Sequence, residues 1–218
     1  VKTKLLFSTG DLSSTLTLAI QTFFQLYFLT DVARISPASA GWIIGITRLW
    51  DAVNDPIVGM LSDRIKSRLG RRRVLLVYGS VPLGLAFALC WWIPPLSPAG
   101  LAIYFTLIII AFDTAFTVVH VGFNALTPAM TRDYDERSSL NGYRMVFSIG
   151  GTLAAILFAT VLGEFIQDES RRFAILGITL GFLAMVPPWI VFFVTRHVDV
   201  GSEPSQMSFG QALCTTFS

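Results

Sequence analysis

Apolar residues gather into six long stretches, 5–30, 40–63, 74–95, 99–126, 139–163 and 172–195, separated by short polar or Pro/Gly-rich joints. An α-helix rises about 1.5 Å per residue, so each stretch can cross the roughly 30 Å of hydrocarbon in a bilayer. The pattern predicts an all-α membrane protein of six transmembrane helices with almost no extramembrane domain. The first stretch is longer than a signal-peptide core, lacks a small-residue cleavage site and runs into Thr30 and Asp31 without a break, so it reads as a retained span. Pro94, Pro95, Pro98 and Gly100 end the third span and begin the fourth. Trp42, Trp91, Trp92 and Trp189 are expected at or near the membrane interfaces, where amphipathic rings are stable.

Polar residues inside the spans are unevenly placed. On the first, Asp11, Ser14, Gln21 and Gln25 share a helical face; on the second, Arg48, Asp51 and Asp55 recur at i, i+3 and i+7. The fourth carries Asp113, Thr117, His120 and Asn124 on one face, and the fifth brings Asn141, Arg144 and Ser148 together. The third and sixth have no charge between their ends and are expected to face lipid. Ionisable groups in hydrocarbon cost several kcal/mol unless paired or hydrated, so these four stripes predict a water-accessible cavity. Polar, polar, apolar, repeated twice, is also a three-plus-three hydropathy pattern of the kind found in halves of major-facilitator carriers.

Composition agrees: the 218 residues are 53% hydrophobic and 14% charged, with a mean hydropathy of +0.64. The net charge of +2 hides a strong asymmetry. Lys2, Lys4, the arginines from Arg64 to Arg73, Arg132, Arg137 and Arg196 fall at one end of the spans; Arg34, Arg171 and Arg172 fall at the other. Basic residues concentrate in cytoplasmic loops, which predicts a multi-pass protein of the cell (inner) membrane with a cytoplasmic amino terminus. The basic run from Arg64 is read as topology and as contact with membrane lipids, not as nucleic-acid binding. Cys90 lies in a span and Cys214 in the tail, a separation that suggests neither disulfide nor metal site.

Asp51 and Asp55 carry the sharpest chemistry. Four residues apart on a helix, their carboxylates are about 6 Å from one another near mid-membrane, where two like charges require a cation or a proton between them. Asn54 adds a neutral oxygen, and Pro56 removes the amide that would bond the carbonyl of Ala52. An all-oxygen shell suits a hard cation such as Na⁺. The alternative is a structural ion pair of Asp51 with Arg48, leaving Asp55 protonated. His120 reads equally as a hydrogen-bonded cavity residue or a proton carrier, and its protonated form beside Arg144 would favour an anionic solute.

The stretch Thr47 to Arg73, TRLWDAVNDPIVGMLSDRIKSRLGRRR, resembles the second helix and following loop of the glycoside-pentoside-hexuronide:cation symporters, the family of the melibiose permease. NALTPAMTRDYDERSSLNGYRMVF at 124–147 resembles that family's loop between helices four and five; Gly10 and Asp11 with YFLTDV at 27–32 match helix one. The resemblance implies that residues 1–196 are the amino-terminal six-helix bundle of a major-facilitator-type twelve-helix fold. Residues 197–218 would then be a cytoplasmic segment leading toward a carboxyl-terminal six-helix half. It implies a cation site of Asp51, Asn54, Asp55 and Thr117. In the melibiose carriers, acids on helices one and four and an arginine on helix five hold the sugar. The arginine matches Arg144, the acidic positions read Thr15 and His120, and a helix-four tryptophan position reads Asn124. Asp113 and Asp11 are the candidates to replace the missing carboxylates. Asp63 with Arg64, Arg68 and Arg71 resembles the loop motif whose charge pairs gate the inner side of such carriers.

The expected function is symport of a sugar or glycoside with Na⁺ or H⁺ by alternating access, with no cofactor beyond the coupling cation. Rival readings are a lysophospholipid:cation symporter and a non-transporting half-carrier. An intramembrane enzyme would need a nucleophile with its base or a metal cluster; the chain has two histidines, one in the tail, and no metal-ligand spacing.

Overall fold

The computed structural model of the chain describes residues 2–64, 71–130 and 133–197. Helix starts follow from capping chemistry: the first amides of a helix lack intrahelical acceptors and take a side-chain oxygen instead. Ser36 accepts from the amide of Ser39 at 3.2 Å and Ser97 from Gly100 at 3.2 Å, each followed by a proline that fits the first helical position. Asp133 and Asp168 accept from Glu136 and Arg171 at 3.0 and 3.3 Å.

Six long helices result: α1 (Lys2–Val32), α2 (Pro37–Arg64), α3 (Arg71–Cys90), α4 (Pro98–Met130), α5 (Tyr134–Phe165) and α6 (Glu169–Val194). Helix α1 runs as Lys2–Ser8 and Gly10–Tyr27 and ends in a π-helical turn, Phe28–Val32. Arg34 follows in a left-handed conformation, φ 54°, while the Ile35 amide reaches back to the carbonyl of Leu29 at 2.9 Å. That bond spans one residue more than the usual six-to-one closure, in keeping with the wider π-helical turn before it. Among the described residues, five helices are both long and apolar enough to cross a membrane. The other, α2, has 28 residues, but Arg48, Asp51 and Asp55 lower the hydropathy of its middle.

The tightest seam joins α3 to α6. A Cβ on Gly84 would lie 2.5 Å from the Gly181 carbonyl oxygen, and one on Gly181 2.6 Å from that of Gly84, so the backbones touch where both side chains are missing. In a bilayer, where lipid is as apolar as leucine, such close backbone contact is what favours helix association. Trp189 Nε1 donates to Ser80 Oγ at 3.1 Å along this seam, and Ser13 Oγ donates to the Ala184 carbonyl at 2.7 Å, adding α1. At the end of the bundle far from the amino terminus, Trp91 stacks on Phe173 at 5.4 Å and meets Phe28 edge-on at 5.1 Å.

One expectation is corrected here. The third and sixth spans do not simply face lipid: half of the α3 span and 44% of α6 are buried in the bundle, against 17% for α5. Apolar content cannot distinguish a lipid neighbour from a protein one, and α3 and α6 use theirs on one another. Trp91, at the end of α3, is packed inside the protein and 1% exposed, whereas Trp42 is 74% exposed. The tail from 198 onward lies outside the described residues.

Gly181→Val should drive a side chain into the Gly84 carbonyl and lower stability by about 1–3 kcal/mol or more. Gly41→Ala, which meets open space, should be close to neutral. Thermal unfolding of the complete protein in detergent measures both.

Candidate functional site

Helix α2 reaches α4 through three polar contacts. Trp50 Nε1 donates to Thr114 Oγ1 at 3.0 Å, Asn54 Nδ2 approaches the Asp113 carbonyl at 3.5 Å, and Thr117 Oγ1 donates to Asp55 Oδ1 at 3.0 Å. Helix periodicity sets the main rows: Trp50 and Asn54, at i and i+4, share a face of α2, and Asp113 and Thr117, also at i and i+4, share a face of α4, with Asp55 and Thr114 on the flanks. Asn54 is 2% exposed and Thr117 3%, while Asp51 is half-buried and Asp55 exposed on the bundle's side. Asn54, Asp55 and Thr117 are thus brought to one seam, with Asp51 one turn before Asp55 on α2. Asp113 joins them through its carbonyl, with its carboxylate in the field of Asp51, Arg48 and Asp55. Arg48 forms no ion pair with Asp51 among the described residues, so the structural pair weighed from the sequence is not made.

Further along α4 a second cluster forms. Arg144 of α5 donates from Nε and Nη2 to the two carboxylate oxygens of Asp11 at 2.7 and 2.9 Å. Nη2 also donates to Asn124 Oδ1, and Nη1 to Thr127 Oγ1, both at 2.9 Å. The guanidinium lies 4.6 Å from the centre of the Phe123 ring, which fits only because residue 10 is glycine: a Cβ there would run into that ring. A buried charge needs this degree of partnering, and the planar fork of arginine supplies it bidentately. Arg144, Asp11 and Asn124 therefore come together, but as an interhelical clamp of α1, α4 and α5 in which the arginine is already engaged.

His120 sits on α4 between the clusters, stacked on Phe116 at 5.5 Å, its Nδ1 buried without a partner among the described residues, within the fields of Asp11, Arg144 and Asp55. Thr15 stands apart: its hydroxyl donates to the Asp11 carbonyl on its own helix, and it packs against Gly151 of α5. Of the expected gate, Arg68 and the side chains of Asp63, Arg64 and Arg71 lie outside the described residues. Arg73 is described, and donates to the Arg196 carbonyl at 3.2 Å, tying α3 to the end of α6. Lys4 pairs with Glu136 at 3.6 Å, closing α1 on α5 at the same end.

Sequence reasoning missed Trp50, Thr114 and Thr127. Thr127 was within reach, since it follows Asn124 by three residues on the same face. Trp50 and Thr114 carried no signal, because an indole among apolar residues looks like packing until its N–H is seen to meet a hydroxyl.

The chain matches the family described as MFS/sugar transport protein over residues 6–217. It is 37% identical over 209 residues to an uncharacterized symporter of Synechocystis, covering 93% of this chain and 38% of that protein. It is 30% identical over 201 residues to a glycoside/cation symporter of Escherichia coli, covering 90% of this chain and 43% of the relative. To the sodium-dependent lysophosphatidylcholine symporter 1-A of Danio rerio it is 34% identical over 170 residues, covering 78% and 30%. The chain spans less than half the length of each. These relatives are transporters, and several long apolar helices agree with a multi-pass membrane protein. The chain belongs to the MFS/sugar transport protein family.

Proposed function

We propose that this chain is the cation-binding half of a symporter that moves a sugar or glycoside with Na⁺ or H⁺ by alternating access. The observation that carries the reading is the α2–α4 seam, where Thr117 meets Asp55 and Asn54 is buried beside them. Asp51 and Asp55 supply charge, Asn54 and Thr117 neutral oxygens, and the cation they take up is cargo that relieves their mutual repulsion. Trp50 and Asn54 position the two acids by pinning α2 to α4. No catalytic role is assigned to any residue.

On the solute side we place Arg144, Asp11, Asn124, His120, Thr15 and Asp113. The Asp11–Arg144 pair holds the solute wall together, and the unpartnered His120 Nδ1 offers a hydrogen bond between wall and cation seam. Asp63, Arg64, Arg68 and Arg71 would gate the cytoplasmic side. Residues 1–196 form one bundle, the amino terminus is cytoplasmic by its basic loops, and 197–218 lead toward a carboxyl-terminal half. That half would cover the outward apolar rows Trp42, Leu49 and Val53 of α2 and Met145, Ile149 and Leu153 of α5, each more than half exposed. A lysophospholipid is the second reading, supported by the similarity to the zebrafish symporter. Uptake of radiolabelled glycosides against lysophosphatidylcholine in proteoliposomes separates the two.

Asp51→Cys and Asp55→Cys in the complete protein should each abolish cation-stimulated uptake; undiminished coupling in both would sink the assignment. Trp50→Phe loses one hydrogen bond and no ligand. Half-saturating Na⁺ should then rise by roughly fivefold, the equivalent of about 1 kcal/mol, with little change in maximal rate. Initial rates over a Na⁺ series measure it. Asp11→Asn leaves Arg144 short of its counter-charge and should cost about 3–5 kcal/mol of stability, and the double exchange Asp11→Arg with Arg144→Asp should recover part of it. Unfolding midpoints of the single and double variants are the readout.

A further inference from the structure

At the end of the bundle opposite the amino terminus, α1, α5 and α6 leave an open crevice of about 310 Å³. Its rim carries both signs of charge. Arg172 comes from the first turns of α6 and Glu164 from the last turn of α5, with Thr160 beside them and Phe24, Phe173 and Leu176 as the apolar floor. Arg172 lies 5.2 Å from the centre of the Phe173 ring and comes up against α5 where Gly163 has no side chain. Its ion pair is with Glu169 of its own helix, through Nη2 alone, at 3.4 Å. Glu169 is in turn hydrogen-bonded by the Tyr27 hydroxyl, which holds that acid toward α1. Nε and Nη1 of Arg172 have no acceptor among the described residues, and Glu164 has neither hydrogen bond nor ion pair. The crevice therefore presents a cation on one wall and an acid on the other, each with unused capacity and not paired to one another.

The floor of the crevice, Phe24, Phe173 and Leu176, is apolar. The same two helices carry Leu157 and Phe165 on α5 and Ile178 and Phe182 on α6, 62–80% exposed, the state of side chains that meet acyl chains in a bilayer. A ligand with a phosphate and an ammonium on one short head and hydrocarbon behind it matches this distribution. An isolated anion would meet Glu164 as a repulsive neighbour, and a water-soluble zwitterion would leave the apolar floor unused. We propose that this crevice binds the headgroup of a zwitterionic phospholipid in the membrane leaflet opposite the amino terminus, its phosphate on Arg172 and its ammonium on Glu164. The site is separate from the cation seam and does not depend on which solute is carried.

The test uses the complete protein in detergent, titrated with dihexanoylphosphatidylethanolamine, dihexanoylphosphatidylglycerol or glycerophosphoethanolamine, with binding read by native mass spectrometry and by shifts in unfolding midpoint. The zwitterionic lipid should bind about tenfold more tightly than the anionic one, as expected for one additional charge-assisted contact. Glu164→Gln should erase that preference by weakening the zwitterionic lipid alone. Arg172→Gln should weaken both lipids about tenfold, and Arg172→Lys should retain most of the binding. Because Glu164 is exposed, its variant keeps the test open even if the Arg172 variants unfold. Equal binding of the two lipids to the unaltered protein, or insensitivity to Glu164→Gln, would overturn the proposal. So would glycerophosphoethanolamine binding as tightly as the lipid, since the ligand would then be a soluble phosphate compound.

Discussion

Charge inside hydrocarbon has to be matched by partners, and in this bundle the matching runs along one face of α4. Thr114 receives the indole N–H of Trp50, Thr117 donates to Asp55, and Asn124 and Thr127 receive the guanidinium of Arg144. Remove that face and the acids of α2 lose their neighbours while Arg144 keeps only Asp11. The helix is long enough to do this at several depths, because 33 residues reach well past the bilayer core.

The same arrangement explains why α3 and α6 look different. With no charge to satisfy, they associate through the Gly84–Gly181 contact and through aromatic packing around Trp91. They form the back of the bundle, against which α1 is fixed by Ser13 and by the Tyr27–Glu169 contact. Helices α2 and α5 are left with outward apolar rows, and α5 has the smallest buried share of the spans measured. The polar seam between α2 and α4 thus lies beside a back made of α3 and α6 and a front of outward apolar rows.

Arg144 shows how local chemistry changes once the neighbours are known. An arginine on a polar helix face suggests a free hand for solute. Here its N–H groups meet Asp11, Asn124 and Thr127, and its face lies on Phe123, so any role in solute binding is exercised through a preassembled cluster. Asp11 and Arg144 are 133 residues apart in sequence, and only helix packing could reveal that one carboxylate neutralises the other.

The sequence alone determined the six long apolar stretches and the stripe carrying Asp51 and Asp55. These are local facts: hydropathy and a 3.6-residue period act within one segment, and motifs such as DAVNDP are written in consecutive residues. The tertiary structure decided what those segments do to one another. It placed Trp91 in the core, turned α3 and α6 together, recruited Trp50, Thr114 and Thr127, and left Arg48 without Asp51. Each of those outcomes depends on which face meets which neighbour, a choice among apolar surfaces of nearly equal hydropathy that is made by shape and by hydrogen bonds between distant residues.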